Sequence, residues 1–231
     1  MKIVSITLAR GGSKGLPGKN VKNFCGLPLV AWSIIQSKLS SKINDIFISS
    51  DDDEILNICS EHGAQKIKRP DELAQDNSRS EDAIIHALKF IKNEYDYVIM
   101  LEPTAPLRKK NDLDSCIDKC IKEKWDSGFS SALLEDFLIW KKDENNKLIS
   151  VNYDYKFQLP RQMREPDYVE NGGIYIFKPE IILKNNNRFG GNIGTYITNF
   201  WQSFEIDSRE DWDFVKMIFE QKLLESYREY I

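Results

Sequence analysis

Eleven residues near the start of the chain could do chemistry together: Arg10-Gly11-Gly12-Ser13-Lys14-Gly15-Leu16-Pro17-Gly18-Lys19-Asn20. Four glycines let backbone N–H groups approach an anion closely, and Arg10, Lys14 and Lys19 add full positive charge. The combination suits a triphosphate. Neither standard phosphate motif fits. A Walker loop ending at Gly18-Lys19 needs glycine where the chain has Ser13, and serine or threonine where it has Asn20. The fingerprint G-x-G-x-x-G is absent. A solvated flexible turn is the plain alternative, and three cations among four glycines weigh against it.

Composition narrows the chemistry further. The chain has 231 residues, 41% hydrophobic and 29% charged, with a net charge of −4. That is an ordinary globular balance with no general electrostatic case for nucleic acid. No apolar run approaches the length of a membrane span, no leader pattern opens the chain, and a cytoplasmic location is expected. Cys25, Cys59, Cys116 and Cys120 form no C-x-x-C pair and read as reduced core thiols. With His62 and His86 the only histidines, both in expected helices, the chemistry should rest on positioning and electrostatics rather than on an imidazole.

The elements that must position the loop alternate as strand and helix. Lys2–Ala9 is rich in Ile, Val, Leu and Thr, as a buried parallel strand is, and a helix is predicted over Leu29–Leu39. Strands follow at Asp45–Ser50, Ala64–Lys68, Tyr97–Leu101 and Ser127–Leu133. Helices are predicted from Asp51-Asp52-Asp53-Glu54 to His62, from Ser80 to Ile91, and over Asp112–Glu123. The three aspartates suit a helix N-terminus, with metal binding as the lesser alternative. Repeated βα units with short connections imply a mostly parallel sheet covered on both faces, with ligands at the C-terminal strand ends. Beyond residue 135 the pattern changes. A hairpin is predicted over Trp140–Ile149, an irregular segment over residues 152–170, a strand over Gly173–Phe177, a polar loop over Asn185–Gly194 and a last strand over Trp201–Ile206. Ser208, with Asp211 three residues on, should cap a final helix.

These motifs together resemble the acylneuraminate cytidylyltransferases, the enzymes that make CMP-sialic acid and CMP-legionaminic acid. The resemblance runs through Ala9–Gly15 with Lys19-Asn20, Ser50–Ile55, Arg69-Pro70 with Glu72-Leu73-Ala74, and Ser80 with Asp82-Ala83-Ile84. It continues through Pro103–Arg108, Asn171–Tyr175, and Ile206-Asp207 with Glu210-Asp211. It implies a Rossmann-like, GT-A-like α/β nucleotidyltransferase sheet over residues 1–231, with residues 135–172 protruding as a dimerisation and sugar-pocket segment of a homodimer. It implies a reaction of CTP with an acidic nine-carbon 2-keto sugar, with Mg²⁺, giving the CMP-sugar and pyrophosphate.

Residue roles follow from the resemblance. Arg10, Ser13, Lys14 and Lys19 would hold the triphosphate and leaving pyrophosphate, and Arg10, Lys14, Lys19 and Asp207 would be the catalytic residues. Ala9, Gly11, Gly12, Asn20, Arg69 and Ser80 would contact the nucleotide, although Ser80 could equally be a helix N-cap and Arg69 a surface ion pair. Asp207, with Glu205, would hold the metal. Family members resemble Asp-x-Asp here, whereas this chain has Glu205-Ile206-Asp207. Glu102, Thr104, Arg108, Arg161, Gln162, Tyr168 and Asn171 would line the sugar pocket, with Arg161 either on the sugar carboxylate or in a structural salt bridge. Sialic-acid enzymes tend to carry Gln where this chain has Glu102, and an ionised Glu can only accept a hydrogen bond. A sugar with different N-substituents, such as legionaminic acid, is therefore expected. A nucleotidyltransferase for another base or sugar phosphate, and an inactive nucleotide-binding homologue, are the competing readings.

Overall fold

A computed structural model describes residues 1–135 and 137–231; Asp136, in the expected extension, lies outside the described residues. The strands are β1 (Ile3–Leu8), β2 (Asn23–Phe24), β3 (Leu27–Pro28), β4 (Asp45–Ser50), β5 (Gln65–Lys68) and β6 (Tyr97–Leu101), then β7 (Ser127–Leu134), β8 (Trp140–Lys142), β9 (Leu148–Ser150), β10 (Asp167–Phe177) and β11 (Ile193–Ile197). The main helices are α1 (Leu29–Leu39), α2 (Asp53–Glu61), α3 (Ser80–Phe90), α4 (Asp112–Glu123), α5 (Pro179–Asn185) and α6 (Arg209–Lys222). Among the described residues, seven strands form one sheet in the order β11-β7-β10-β6-β1-β4-β5, and all pairings are parallel except those of β10.

Alternation along the strands explains the layers. Val4 and Ile6 of β1, with Val98 and Met100 of β6, pack against Ile84 of α3 and Ile182 of α5. Ile3, Ile99 and Leu101 point the other way, toward Leu113 and Ile117 of α4. Helix α1 is buried on two sides: Val30 and Ile34 meet Ile55 and Cys59 of α2, while Leu29 and Trp32 meet Trp212 and Phe219 of α6. No helix among the described residues is long and apolar enough to cross a membrane.

The chain runs outward from β1 to β4 and β5, then returns to β6 on the other side of β1. That reversal opens a crevice at the C-terminal ends of β1, β4 and β6. β7 ends at the same edge. There the chain leaves the sheet, forms the β8–β9 hairpin, and re-enters antiparallel with Asp167 opposite Leu134. The extension is thus the long loop of a β7–β10 hairpin. It brings Glu170, Asn171 and Gly172 of β10 back toward the crevice.

Two sequence expectations fail near the C-terminus. The polar loop over 185–194 contains the end of α5 and the start of edge strand β11, which the Asn/Gly composition obscured. Residues 201–206 do not form the last strand: Phe200–Ser203 is a short 3-10 helix with a capping box between Asn199 and Gln202. The irregular stretch also ends earlier than expected, because β10 begins at Asp167. Ser208 does cap α6, with its side chain accepting from Asp211 N.

Arg108 and Asn171, expected at the sugar pocket, are each 2% exposed. Arg108 donates from Nε to Gly173 O (2.6 Å), from Nη2 to Glu102 O (2.6 Å), and from Nη1 to Gln36 Oε1. Burial lowers its pKa to about 10, and the residue acts as a strut between α1, the β6 loop and β10. Asn171 accepts from Ser130 Oγ (2.6 Å) and donates to Thr198 Oγ1 (2.8 Å), holding β10 to its neighbours. Both are corrected from sugar contacts to structural residues. Arg108→Met should therefore lower stability by roughly 3–5 kcal/mol, since it strands buried carbonyls. Denaturation measures this; unchanged stability with a raised KM for the sugar would restore the contact role.

Candidate active site

The glycine- and cation-rich loop follows β1 and is held from three sides. Asp51, at the end of β4, accepts from Gly11 N (3.1 Å) and lies 3.7 Å from Arg69 Nη2. Arg69 in turn donates to Ala9 O (2.9 Å), and Asn20 Nδ2 donates to Arg10 O (3.0 Å). The third support comes from the far end of the chain. Lys19 Nζ donates to Ile206 O (2.7 Å) and to Asp207 Oδ1 (2.9 Å). Gly15 lies so close to Asp207 that a Cβ there would overlap the Asp207 carbonyl oxygen, so the approach requires glycine. The acidic run after β4 needs no metal to explain it: Asp52 caps α2, accepting from Ile55 N (3.1 Å), and Asp53 pairs with Lys68.

These residues line a cleft of about 440 Å³. Its walls include Ala9, Arg10, Ser13, Lys14, Lys19, Asn20, Arg69, Ser80, Glu102, Thr104 and Asp207, so the structure gathers most of the expected nucleotide residues in one place. Gly11 and Gly12 belong to the same loop. Two buried polar atoms in the wall, Asn20 Oδ1 and Arg69 Nε, have no hydrogen-bond partner among the described residues. Unmet buried polar groups beside a cleft suit a polar ligand. Arg69 is buried, not the surface ion pair weighed from sequence, and burial lowers its pKa. Ser80 is the first residue of α3 rather than its N-cap; Arg79 takes that position without a side-chain bond to the helix N-terminus.

The other wall is acidic. Ile206 N donates to Thr104 O (2.8 Å), which sets Glu205 and Asp207 beside the loop after β6. At the β10 irregularity Gly172 has φ of 62°. A Cβ there would overlap Glu205 and lie 3.4 Å from Glu102 Oε2. The two glutamates thus sit together over a left-handed glycine. Burial and the Glu102 and Asp207 charges push Glu205 up to about 7. Burial likewise raises Glu102, opposed by the Arg188 and Arg108 charges. Arg188 was not read from the sequence. It pairs with Glu81 (3.1 Å) and stacks 4.3 Å above Tyr175, whose hydroxyl donates to Glu170 (2.6 Å).

Arg161, Gln162 and Tyr168 are not brought to this cleft. Arg161 and Gln162 line a separate hollow of about 390 Å³ on the extension, with no lining residue in common, and Arg161 pairs with Glu135. Tyr168 is exposed on β10. A larger hollow of about 930 Å³ lies at the opposite sheet edge, between Met1, Tyr95 and Lys178, away from every one of these groups.

Among the described residues, no group of three or more His, Cys, Asp or Glu side chains is placed to hold a metal ion. Magnesium asks for less, since it commonly takes one or two carboxylates and completes its shell with substrate phosphate and water. The exposed Asp207 carboxylate, next to the phosphate loop, fits that donor set. Glu205, packed on Gly172, is the weaker partner.

Known proteins resemble this chain over nearly its whole length. The family model described as "Cytidylyltransferase" matches residues 4–229. The CMP-N,N'-diacetyllegionaminic acid synthase of Campylobacter jejuni is 31% identical, over 96% of this chain and 97% of that protein. The N-acylneuraminate cytidylyltransferase A of Danio rerio is 32% identical over 91% of this chain, which spans about half (49%) of that longer protein. The solved structure of a CMP:2-keto-3-deoxy-manno-octonic acid synthetase complexed with CTP shares the fold, with TM-score 0.73 at 14% identity, covering 96% of this chain and 100% of that one.

The closure of the loop onto Asp207 can be tested at Gly15. Gly15→Ala should cut kcat/KM at least about tenfold, because the added methyl meets backbone that cannot move aside, and a misplaced reacting group is costly. Its melting temperature should fall by only a few degrees. Full activity would show that the loop need not touch Asp207.

Proposed function

Because the chain belongs to the cytidylyltransferase family, we propose that it activates an acidic nine-carbon 2-keto sugar, of the legionaminic or N-acetylneuraminic type, by transferring CMP from CTP with release of pyrophosphate. The observation that carries this is the convergence of Arg10, Lys14, Lys19 and Asp207 on one cleft. The sugar's anomeric hydroxyl attacks the α-phosphorus, and negative charge builds on the departing pyrophosphate. Arg10, Lys14 and Lys19 are pre-positioned to neutralise it, which is the main task of catalysis in phosphoryl-type transfer. Asp207, with Glu205 at one remove, would hold magnesium, which when bound neutralises phosphate oxygens. Asn20, Ser80 and Arg69 hold the nucleoside side of the cleft.

Glu102 bears on which sugar is used. A half-buried carboxylate in the acceptor wall repels an acidic sugar unless the sugar offers N–H groups to it. A diamino sugar of the legionaminic type meets that demand. We also assign the working form as a homodimer in the cytoplasm. Support comes from the extension, which leaves Leu148, Phe157 and Met163 more than 60% exposed, and from four buried, unpaired cysteines suited to a reducing compartment.

The decisive measurement is pyrophosphate release with CTP, Mg²⁺ and a panel of nine-carbon sugar acids, run beside the other nucleoside triphosphates. CMP-sugar should form with CTP, and release with another triphosphate alone would overturn the base assignment. Lys19→Ala should lose about 10²–10³ in kcat while remaining folded. Glu102→Gln should move preference from legionaminic toward N-acetylneuraminic acid; an unchanged order would remove Glu102 from sugar selection.

A further inference from the structure

Every cation of the phosphate loop is paired with a protein carboxylate, and the two carboxylates differ in kind. Asp207, on Lys19, belongs to the catalytic cluster. Asp76 does not. It lies between the short helix Asp71–Leu73 and α3, across the cleft from the loop. One of its oxygens, Oδ1, is 3.0 Å from Arg10 Nη1, and the other, Oδ2, pairs with Lys14 Nζ. The carboxylate bridges two cations through two oxygens, as a phosphate would. Both cations also draw its pKa below the ordinary carboxylate range.

The segment carrying Asp76 is braced without it. Gln75 N donates to Ser78 Oγ (3.0 Å), Gln75 Nε2 to Asp71 O (2.7 Å), and Ser78 Oγ to Glu72 O (3.0 Å). Arg79 Nη2 donates to Asn186 O (2.8 Å). The turn can therefore release its aspartate and keep its own shape. A triphosphate on Arg10 and Lys14 cannot coexist with the carboxylate where it stands, because both anions need the same donors and repel each other.

We propose that Asp76 is a built-in counter-ion of the phosphate loop, which bridges Arg10 and Lys14 to hold residues 74–79 across the cleft and is exchanged for the polyphosphate on binding. The inference rests on the reading of the loop as the triphosphate site. It gives the cations a defined arrangement before nucleotide arrives. It also supplies an internal competitor that favours a highly charged polyphosphate over a weaker anion.

The test uses inorganic pyrophosphate, which carries neither base nor sugar, titrated calorimetrically into the full chain without divalent cation. Asp76→Asn and Asp76→Ala should both bind it about two- to tenfold more tightly than the parent, the range that one or two exposed ion pairs span. Melting curves confirm that each variant is folded. Equal or weaker binding by both folded variants, with the parent binding pyrophosphate, overturns the counter-ion role alone. Failure of the parent to bind pyrophosphate or CTP overturns this proposal together with the phosphate-loop reading.

Discussion

The ammonium of Lys19 donates to the Ile206 carbonyl and the Asp207 carboxylate, and much of the site depends on that one junction. It ties the first loop of the chain to a segment 187 and 188 positions away. Gly15 adds a close backbone approach at the same place. Joining distant segments carries a loop-closure cost that the rest of the fold must offset. The packing of α1 on α6 does so, through Trp32, Trp212 and Phe219 on one apolar cluster. The Asp207 carboxylate is thus positioned by a helix pair behind it, not by its own sequence neighbours alone.

Charge is divided across the cleft. The β1 side presents Arg10, Lys14 and Lys19, while the β6 and β10 side presents Glu102, Glu205 and Asp207. The acidic wall holds because Arg108 braces its backbone from beneath and Arg188 stands near Glu102 from the α5 side. A cation-lined wall facing a carboxylate wall suits a polyanion on one side and a metal or N–H-bearing acceptor on the other.

The loop after β1 stood out in the sequence as a candidate phosphate cradle because its composition is local. Four glycines and three cations in eleven residues state a phosphate cradle wherever the chain goes next. The longer strands and helices up to Glu123 were also legible, since each has its own period and punctuation. What failed did so for a physical reason. Edge strand β11 pairs only with β7, so its Gly-containing sequence carries little burial signal. Residues 201–206 were expected as a strand, yet Gln202 at N3 of a capping box makes Phe200–Ser203 a 3-10 helix. Arg108 and Asn171 were expected at the sugar pocket from the family resemblance, which does not reveal burial. Here they satisfy backbone and side-chain groups inside the sheet edge.

By itself, the sequence determined the alternating α/β order, the glycine- and cation-rich loop after β1 and the cytidylyltransferase family, because periodicity, glycine spacing and motif order are properties of the chain alone. Only the tertiary structure decided which polar residues face the cleft. It placed Asp207 on Lys19, Asp51 on Gly11, Asp76 on Arg10 and Lys14, and Glu205 against Gly172. Each of those pairs joins segments far apart in the chain, and a Coulombic or hydrogen-bonded contact exists only once the fold has set them side by side.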